Sequence, residues 1–359
     1  MRFAYGLAGE GRGHTTRAIG LGVQLLDAGH DVRFFTDGDA LKLIQERFGE
    51  ERVAIMPVPR FLYGKKRVQL IRSGFRNTGF LFRRKPKAKA VIASMGDWRP
   101  DAVICDFEPT MWAVARRLKV PFITFDSQRF AVACKLRKVL PLWHRLLLIP
   151  IIGTVWFFTP RTNLAIISKP FDLPMSQRRR HTHLVGPILR DSIRDKTWQP
   201  AGEHILCYLR GRTESVLGPL DEIAGQLGLR VKLYGKSSKS EYKHIDECEI
   251  SEQSFAQHMS TAEFVVSTAG TQVIGEVAHF GVPTVLVPEP GQIEQDINAV
   301  IAEQVVATIR RRKAKHVNVA NVKSDVERLK GQNSTSFEDG SVTACRLIVE
   351  WMESRRINA

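Results

Sequence analysis

The strongest constraint on the fold of this chain is an alternation of strand-like and helix-like segments that occurs twice. In the first half, a strand-like segment at 2–7 precedes a Gly-rich turn, an amphipathic segment at 15–28 and a second strand at 31–36. Later segments continue the pattern, with strands at 101–105 and 121–125 around a helix at 110–118. Such alternation predicts parallel sheets covered by helices.

A second series begins near residue 203. Its predicted strands are 204–209, 230–234, 264–267 and 283–287, and its predicted helices are 216–227, 272–280 and 294–304. A chain of 359 residues is long for one core. We therefore predict an α/β protein of two Rossmann-like, doubly wound domains that face each other across a cleft, with the carboxyl ends of both sheets opening into it.

The predicted division of the chain follows the two series. Residues 1–187 form an N-terminal domain, 188–202 a linker, 203–340 a C-terminal domain, and 341–359 a C-terminal helix that packs back on the N-terminal domain.

Composition narrows the class of protein. Hydrophobic residues make up 43% and charged residues 25% of the chain, which is typical of a globular protein. The five cysteines include no C-x-x-C pair, and this excludes a disulfide scaffold and a cysteine-built zinc site. The first residues lead straight into the Gly-rich turn without an export signal, so we expect a cytoplasmic protein.

The charge is strongly basic and unevenly distributed. Lys and Arg exceed Asp and Glu by 53 to 37, a net charge of +16, which implies an anionic partner. Residues 52–96 contain twelve Lys or Arg, several aromatic residues and no acid, and residues 127–171 also lack acids. The apolar run 146–158 is too short for a membrane span. We expect the protein to contact the inner face of an anionic membrane; the alternative is that these basic residues form a solvated surface.

The sequence contains no recognisable nucleic-acid-binding motif, so we expect no nucleic-acid partner.

The first Gly-rich turn ends at a histidine. Gly9 and Gly11 begin a dinucleotide-binding fingerprint, but His14 stands where its third glycine would be. At the start of a helix and the mouth of the cleft, His14 is a candidate general base, or else a helix cap or surface residue. Asp106 ends a strand and is positioned either to orient His14 or to cap the helix at 110. Glu108 is a further catalytic candidate.

The second domain carries a polar turn between a strand and a helix. Thr268, Gly270 and Thr271 lie in this turn, where a helix N-terminus and its backbone N–H groups favour an anion. Glu276 follows within the helix, and a carboxylate there can accept both ribose hydroxyls of a nucleotide. Polar residues at the start of the helix near 294 suit a hydroxyl-rich ligand.

In their order, these pieces resemble the GT-B glycosyltransferases, closest to the MurG-like and UDP-glycosyltransferase-like branches. The resemblance covers roughly 1–37, 100–126 and 262–299. It implies an inverting, hexosyltransferase-type enzyme that moves a sugar from a nucleotide-sugar, UDP-linked, to a hydroxyl acceptor, including a lipid-linked or cell-envelope one. It implies no cofactor and no obligatory metal.

The resemblance also assigns roles to single residues. His14 is the implied base and Asp106 its partner. The nucleotide-sugar contacts are Gly211, Arg212, Thr268, Gly270, Thr271, Glu276, Glu294 and Gln295. Three positions depart from the family pattern. Thr268 replaces a phosphate-binding His, Glu294 lengthens the usual Asp, and 209–213 stands where MurG has a Gly-Gly-Ser loop.

Three other functions stay open from sequence. A UDP-sugar 2-epimerase has the same fold but would need carboxylates in place of the histidine-led site. A basic nucleic-acid-binding protein would explain the charge but not the paired α/β halves. A nicotinamide oxidoreductase would need a better Gly fingerprint than 6–14 provides.

Overall fold

The N-terminal half folds around one parallel sheet in the computed structural model. The model describes residues 1–10, 12–59, 84–176, 181–209, 214–235, 242–249, 251–332 and 337–357. Within them, the strand order is β3-β2-β1-β4-β5-β6-β7 and each pair is parallel. The strands are β1 (Arg2–Leu7), β2 (Asp31–Thr36), β3 (Val53–Ile55), β4 (Ala102–Asp106), β5 (Phe122–Asp126), β6 (Leu164–Ser168) and β7 (Thr182–Val185).

Helices cover both faces of this sheet. They are α1 (Arg12–Asp27), α2 (Gly38–Phe48), α3 (Arg84–Ser94), α4 (Thr110–Leu118), α5 (Phe130–Ala133), α6 (Leu142–Leu147) and α7 (Ile149–Phe158). The strand order changes direction between β1 and β4, whose register pairs Leu7 with Asp106. Ligands of doubly wound folds bind at such a switch point, outside the carboxyl ends of the strands. Of the candidate residues, His14 follows β1 and Asp106 ends β4.

The C-terminal half contains a second parallel sheet, in the order β10-β9-β8-β11-β12-β13. Its strands are β8 (His204–Tyr208), β9 (Arg230–Tyr234), β10 (Ile245–Glu247), β11 (Phe264–Ser267), β12 (Thr284–Leu286) and β13 (Ile309–Arg311). Its helices are α9 (Leu217–Leu227), α10 (Glu252–Thr261), α11 (Thr271–Phe280), α12 (Ile293–Val305) and α13 (Val319–Leu329), and a short α8 (Asp191–Arg194) lies between the two sheets in sequence. The donor-motif residues therefore follow β11 and β12.

The last helix, α14 (Gly340–Ile357), lies against the N-terminal half. Ile348 and Met352 are buried with Phe3 and Leu21 in the core of the first sheet. Arg356 also reaches Asp101, with 3.3 Å between Nη2 and Oδ1.

The two halves share an apolar core as well. Phe130 and Leu189 of the first half belong to one buried cluster with Ile274 and Ile297 of the second. This cluster joins the two halves of the molecule. The prediction of two doubly wound α/β domains is confirmed.

Candidate active site

The central pair of the site is His14 and Asp106. β4 ends at Asp106, which is fully buried, and α1 carries His14 beside it, with 2.8 Å between His14 Nδ1 and Asp106 Oδ1. With its proton on Nδ1, His14 donates to the Asp106 carboxylate and leaves the lone pair on Nε2; Arg17 Nη2 also lies 2.9 Å from Nδ1. This arrangement is the one that a general base requires.

A third residue, the buried Arg17, also binds Asp106, and the sequence analysis did not identify it. Arg17 Nε donates to Asp106 Oδ2 at 2.9 Å, and Arg17 Nη2 donates to Oδ1 at 3.0 Å. Burial alone would raise the pKa of Asp106, but the charges and hydrogen bonds of Arg17 and His14 outweigh it and hold that pKa below its ordinary value. Asp106 is therefore ionised at neutral pH and can stabilise a protonated His14.

Helical spacing was the signal for Arg17. It lies three residues after His14 and next to Ala18, on the face of α1 that also buries Leu21 and Leu25. A charged residue on an apolar helix face needs a partner of opposite charge. Asp106 is that partner.

Phe107 fixes the backbone after Asp106. Its φ of 55° lies in the left-handed region, which bulky residues rarely adopt. The ring stacks beside the His14 imidazole, with 6.3 Å between ring centroids, and packs on Phe158 of α7 at 5.1 Å. A strained residue at this point is consistent with a functional site.

Glu108 caps the N-terminus of α4. The sequence analysis had given this role as one of two alternatives for Asp106. Its Oε2 accepts hydrogen bonds from the backbone N–H groups of Thr110 and Met111 at 2.7 and 2.9 Å, while burial raises its pKa. The side chain is fully buried. The structure thus places Asp106 with His14 and Glu108 at the N-terminus of α4, and a catalytic role for Glu108 stays a prediction.

A side chain of α12, Asn298, contacts the polar turn of the second domain. Thr268 is buried, Gly270 precedes the first residue of α11, and the side chain of Thr271 contacts Asn298. Asn298 Nδ2 donates to Thr271 Oγ1 at 3.2 Å and to the Ala269 carbonyl at 3.3 Å. Gly270 offers no side-chain cap, so the N-terminus of α11 can receive an anion through backbone N–H groups.

Glu276 has a partner that sequence did not indicate. Its Oε1 and Oε2 accept hydrogen bonds from Arg190 Nε and Nη2 at 2.7 and 2.8 Å, and its side chain is 1% exposed. Gln272 adds a hydrogen bond to Oε1 at 2.8 Å. Both carboxylate oxygens are thus engaged, and the ribose-binding role of Glu276 stays a prediction. Arg190 is 86 residues away in sequence, so no spacing could have shown this contact.

The remaining predicted donor residues lie at the start of α12. Glu294 is exposed, whereas Gln295 accepts a hydrogen bond from the Glu289 backbone N–H at 2.9 Å. Gly211 and Arg212 lie outside the described residues, as does 60–83 of the basic stretch. Within the described part of the chain, no group of three or more His, Cys, Asp or Glu could hold a metal ion.

A family model for glycosyl transferase family 1 matches residues 1–330. The chain belongs to this family. The GT-B fold prediction is also confirmed, since the chain superposes on MurG of Acinetobacter baumannii with a TM-score of 0.62 and 15% identity, covering 99% of this chain and 100% of that one. A second structure, LpCGTa in complex with UDP, gives a TM-score of 0.64 and 14% identity over 98% of this chain and 99% of that one.

A curated relative agrees with the family assignment. An uncharacterized glycosyltransferase of Methanosarcina acetivorans is 24% identical over 334 residues, which cover 85% of this chain and 84% of the relative. This chain is therefore a glycosyltransferase. In the part that the structure describes, no helix is long and apolar enough to cross a membrane.

Proposed function

We propose that this glycosyltransferase moves a sugar from a UDP-linked donor to a hydroxyl acceptor with inversion at the anomeric carbon. The observation that carries the proposal is the 2.8 Å contact between His14 Nδ1 and Asp106 Oδ1 at the carboxyl end of β4. It presents one basic nitrogen and one orienting carboxylate, the minimum that a single displacement requires.

In the proposed reaction, His14 Nε2 removes the proton of the acceptor hydroxyl as the oxygen attacks the anomeric carbon. The bond from that carbon to the diphosphate oxygen breaks, and its electron pair leaves with the diphosphate. Asp106 stabilises the imidazolium that forms, as the carboxylate does in other His–Asp pairs.

For the donor, we propose the turn that precedes α11. Backbone N–H groups at Gly270 and Thr271 suit the diphosphate, and the dipole of α11 adds a favourable positive potential. The exposed Glu294 and the neighbouring Gln295 are assigned to the sugar hydroxyls. The choice of UDP is supported by the LpCGTa complex with UDP, which shares the fold.

For the acceptor, we propose a lipid-linked alcohol at an anionic membrane face. Leu142, Trp143 and Leu146 of α6 and Ile149 of α7 are all exposed, Trp143 by 66%. Exposed Arg137 and Lys138 precede them in the same acid-free stretch. Apolar side chains beside cations are typical of surfaces that enter the headgroup region of anionic lipid.

The test is a screen of nucleotide-sugars for thermal stabilisation of the protein, followed by acceptor trials with the donor that stabilises most. We expect UDP-sugars to raise Tm and one of them to be consumed only when an acceptor is present. Donor consumption without acceptor, with conversion to an epimer, would replace this proposal with the epimerase.

A further inference from the structure

Lys169 is a buried cation that the proposed mechanism does not use. It follows β6, its side chain is 1% exposed, and Nζ donates to Asn298 Oδ1 at 3.1 Å. Nζ also lies over the ring of Phe130, 4.3 Å from its centroid. Within the described residues, no carboxylate oxygen lies at ion-pair distance from Nζ. A buried ammonium whose direct contacts are an amide and an aromatic ring makes no close ion pair, so an anionic ligand would stabilise it.

Asn298 connects this ammonium to the donor turn. The same amide that accepts from Lys169 donates to Thr271 Oγ1 at 3.2 Å and to the Ala269 carbonyl. Lys169 therefore lies one side chain away from the N-terminus of α11, which has no side-chain cap. A cation from the first domain and a helix N-terminus from the second converge on the same place.

The charges around Lys169 come from both domains. Burial lowers its pKa to about 8; Glu294 acts in the opposite direction, Arg17 lowers it further, and Cys134 and Asp126 raise it. The ammonium thus interacts with Glu294 of the donor motif and with Arg17 beside the proposed base.

We propose that Lys169 binds the diphosphate of the donor and stabilises the negative charge on the leaving oxygen. The proposal rests on the proposed function, since it assigns a further residue to the same reaction. As the anomeric carbon–oxygen bond breaks, the electron pair stays on the diphosphate, and the ammonium donates a hydrogen bond to it without transferring its proton. The domain that supplies the base would then also supply a cation for the leaving group.

The test compares Lys169→Met and Lys169→Arg with the exposed control Lys42→Met. Calorimetry with UDP and with uridine separates the phosphates from the nucleoside. For Lys169→Met we expect UDP affinity to fall about tenfold or more while uridine affinity is unchanged, and for Lys169→Arg a smaller loss. Lys42→Met should bind both ligands like the parent.

The possible outcomes distinguish a failure of the role proposed for Lys169 from a failure of the proposed glycosyltransferase function. A parent that binds no nucleoside diphosphate would overturn the proposed function and the role of Lys169 together. A parent that binds UDP, with a folded Lys169→Met variant that binds it equally well, would overturn the role of Lys169 alone. Circular dichroism and Tm without ligand establish that each variant is folded.

The parent protein provides a second test that needs no variant to fold. Below about pH 8 the ammonium is charged and UDP affinity should not change with pH; above it, affinity should fall with each pH unit, because binding must then recapture a proton. Lys169→Arg should remove this decline, since a guanidinium stays charged. An affinity that is constant from pH 7 to about 9.5 in the parent would contradict the proposal.

Discussion

Each half of the molecule contains a buried carboxylate held by an arginine, at the end of β4 in the first half and within α11 in the second, but only the first carboxylate also contacts a histidine. Asp106 shares its oxygens between Arg17 and His14, whose Nε2 is the nitrogen that we propose faces the acceptor. Glu276 gives both oxygens to Arg190 and a further hydrogen bond to Gln272.

The two arginine–carboxylate pairs have different roles. At Asp106 the arginine keeps a carboxylate ionised beside the proposed base, which is an electrostatic role. At Glu276 the arginine joins the segment between the domains to α11, which is a positional role. Variants of the two pairs should therefore differ in what they damage.

The largest expected effect comes from His14→Ala. Without the base, turnover at saturating donor should fall by about two to four orders of magnitude while UDP affinity is retained. His181→Ala, an exposed histidine of the same domain, is the matched control. If His14→Ala turns over like the parent, the base lies elsewhere and Glu108 becomes the next residue to test.

Asp106→Asn should lower turnover less than His14→Ala does, because an amide still orients the imidazole but cannot stabilise its positive charge.

The next effect sharpens the contrast between the two arginines. Arg17→Met and Arg190→Met each leave a buried carboxylate without its main partner, so each should lower the free energy of unfolding by about 3–5 kcal/mol in urea. Only Arg17→Met should also lower turnover per folded molecule. Equal turnover in the two variants would contradict the separate roles proposed for the Arg17–Asp106 and Arg190–Glu276 pairs.

Acid unfolding tests the electrostatic role of Arg17 separately. The pKa of Asp106 is held below its ordinary value, so Asp106 contributes stability that is present above that value and lost as pH falls through the lowered one. The parent should therefore lose more stability than Arg17→Met between neutral pH and about pH 3. Parallel losses in the two proteins would show that Arg17 does not govern this carboxylate.

A smaller effect is expected for Glu276→Ala. If a ribose hydroxyl reaches this carboxylate, losing the hydrogen bond should weaken UDP binding by about 1 kcal/mol or more. The variant also removes the two hydrogen bonds between Glu276 and Arg190, which then keeps only its 3.6 Å ion pair with Glu252, so Arg190→Met is the control for indirect damage. Loss of affinity in both variants would assign the effect to the pair; loss in Glu276→Ala alone would assign it to ribose.

The smallest effects concern the membrane face. The protein should bind anionic vesicles and dissociate partly with salt, because each basic contact contributes roughly 1 kcal/mol. Trp143→Ser should weaken this binding, whereas Leu227→Ser, an exposed apolar residue of the other domain, should not. Equal, negligible binding to neutral and anionic vesicles would favour an acceptor that is not membrane-borne.

Local signals in the sequence were sufficient for much of the fold. The strand predicted at 264–267 and the helix predicted at 110–118 have the bounds seen in the structure, because burial and periodicity act over a few residues. His14 and Asp106 were candidates because strand ends in parallel sheets face a shared edge. Arg190 and Lys169 could not be predicted, since their partners Glu276 and Asn298 lie 86 and 129 residues further along the chain, in the second domain.

The anomeric configuration of the product tests the central claim most directly. We expect NMR of the first product formed from a UDP-sugar of known configuration to show inversion, because one base and one displacement reverse the anomeric centre. A product that retains the donor's configuration would contradict a single displacement driven by His14.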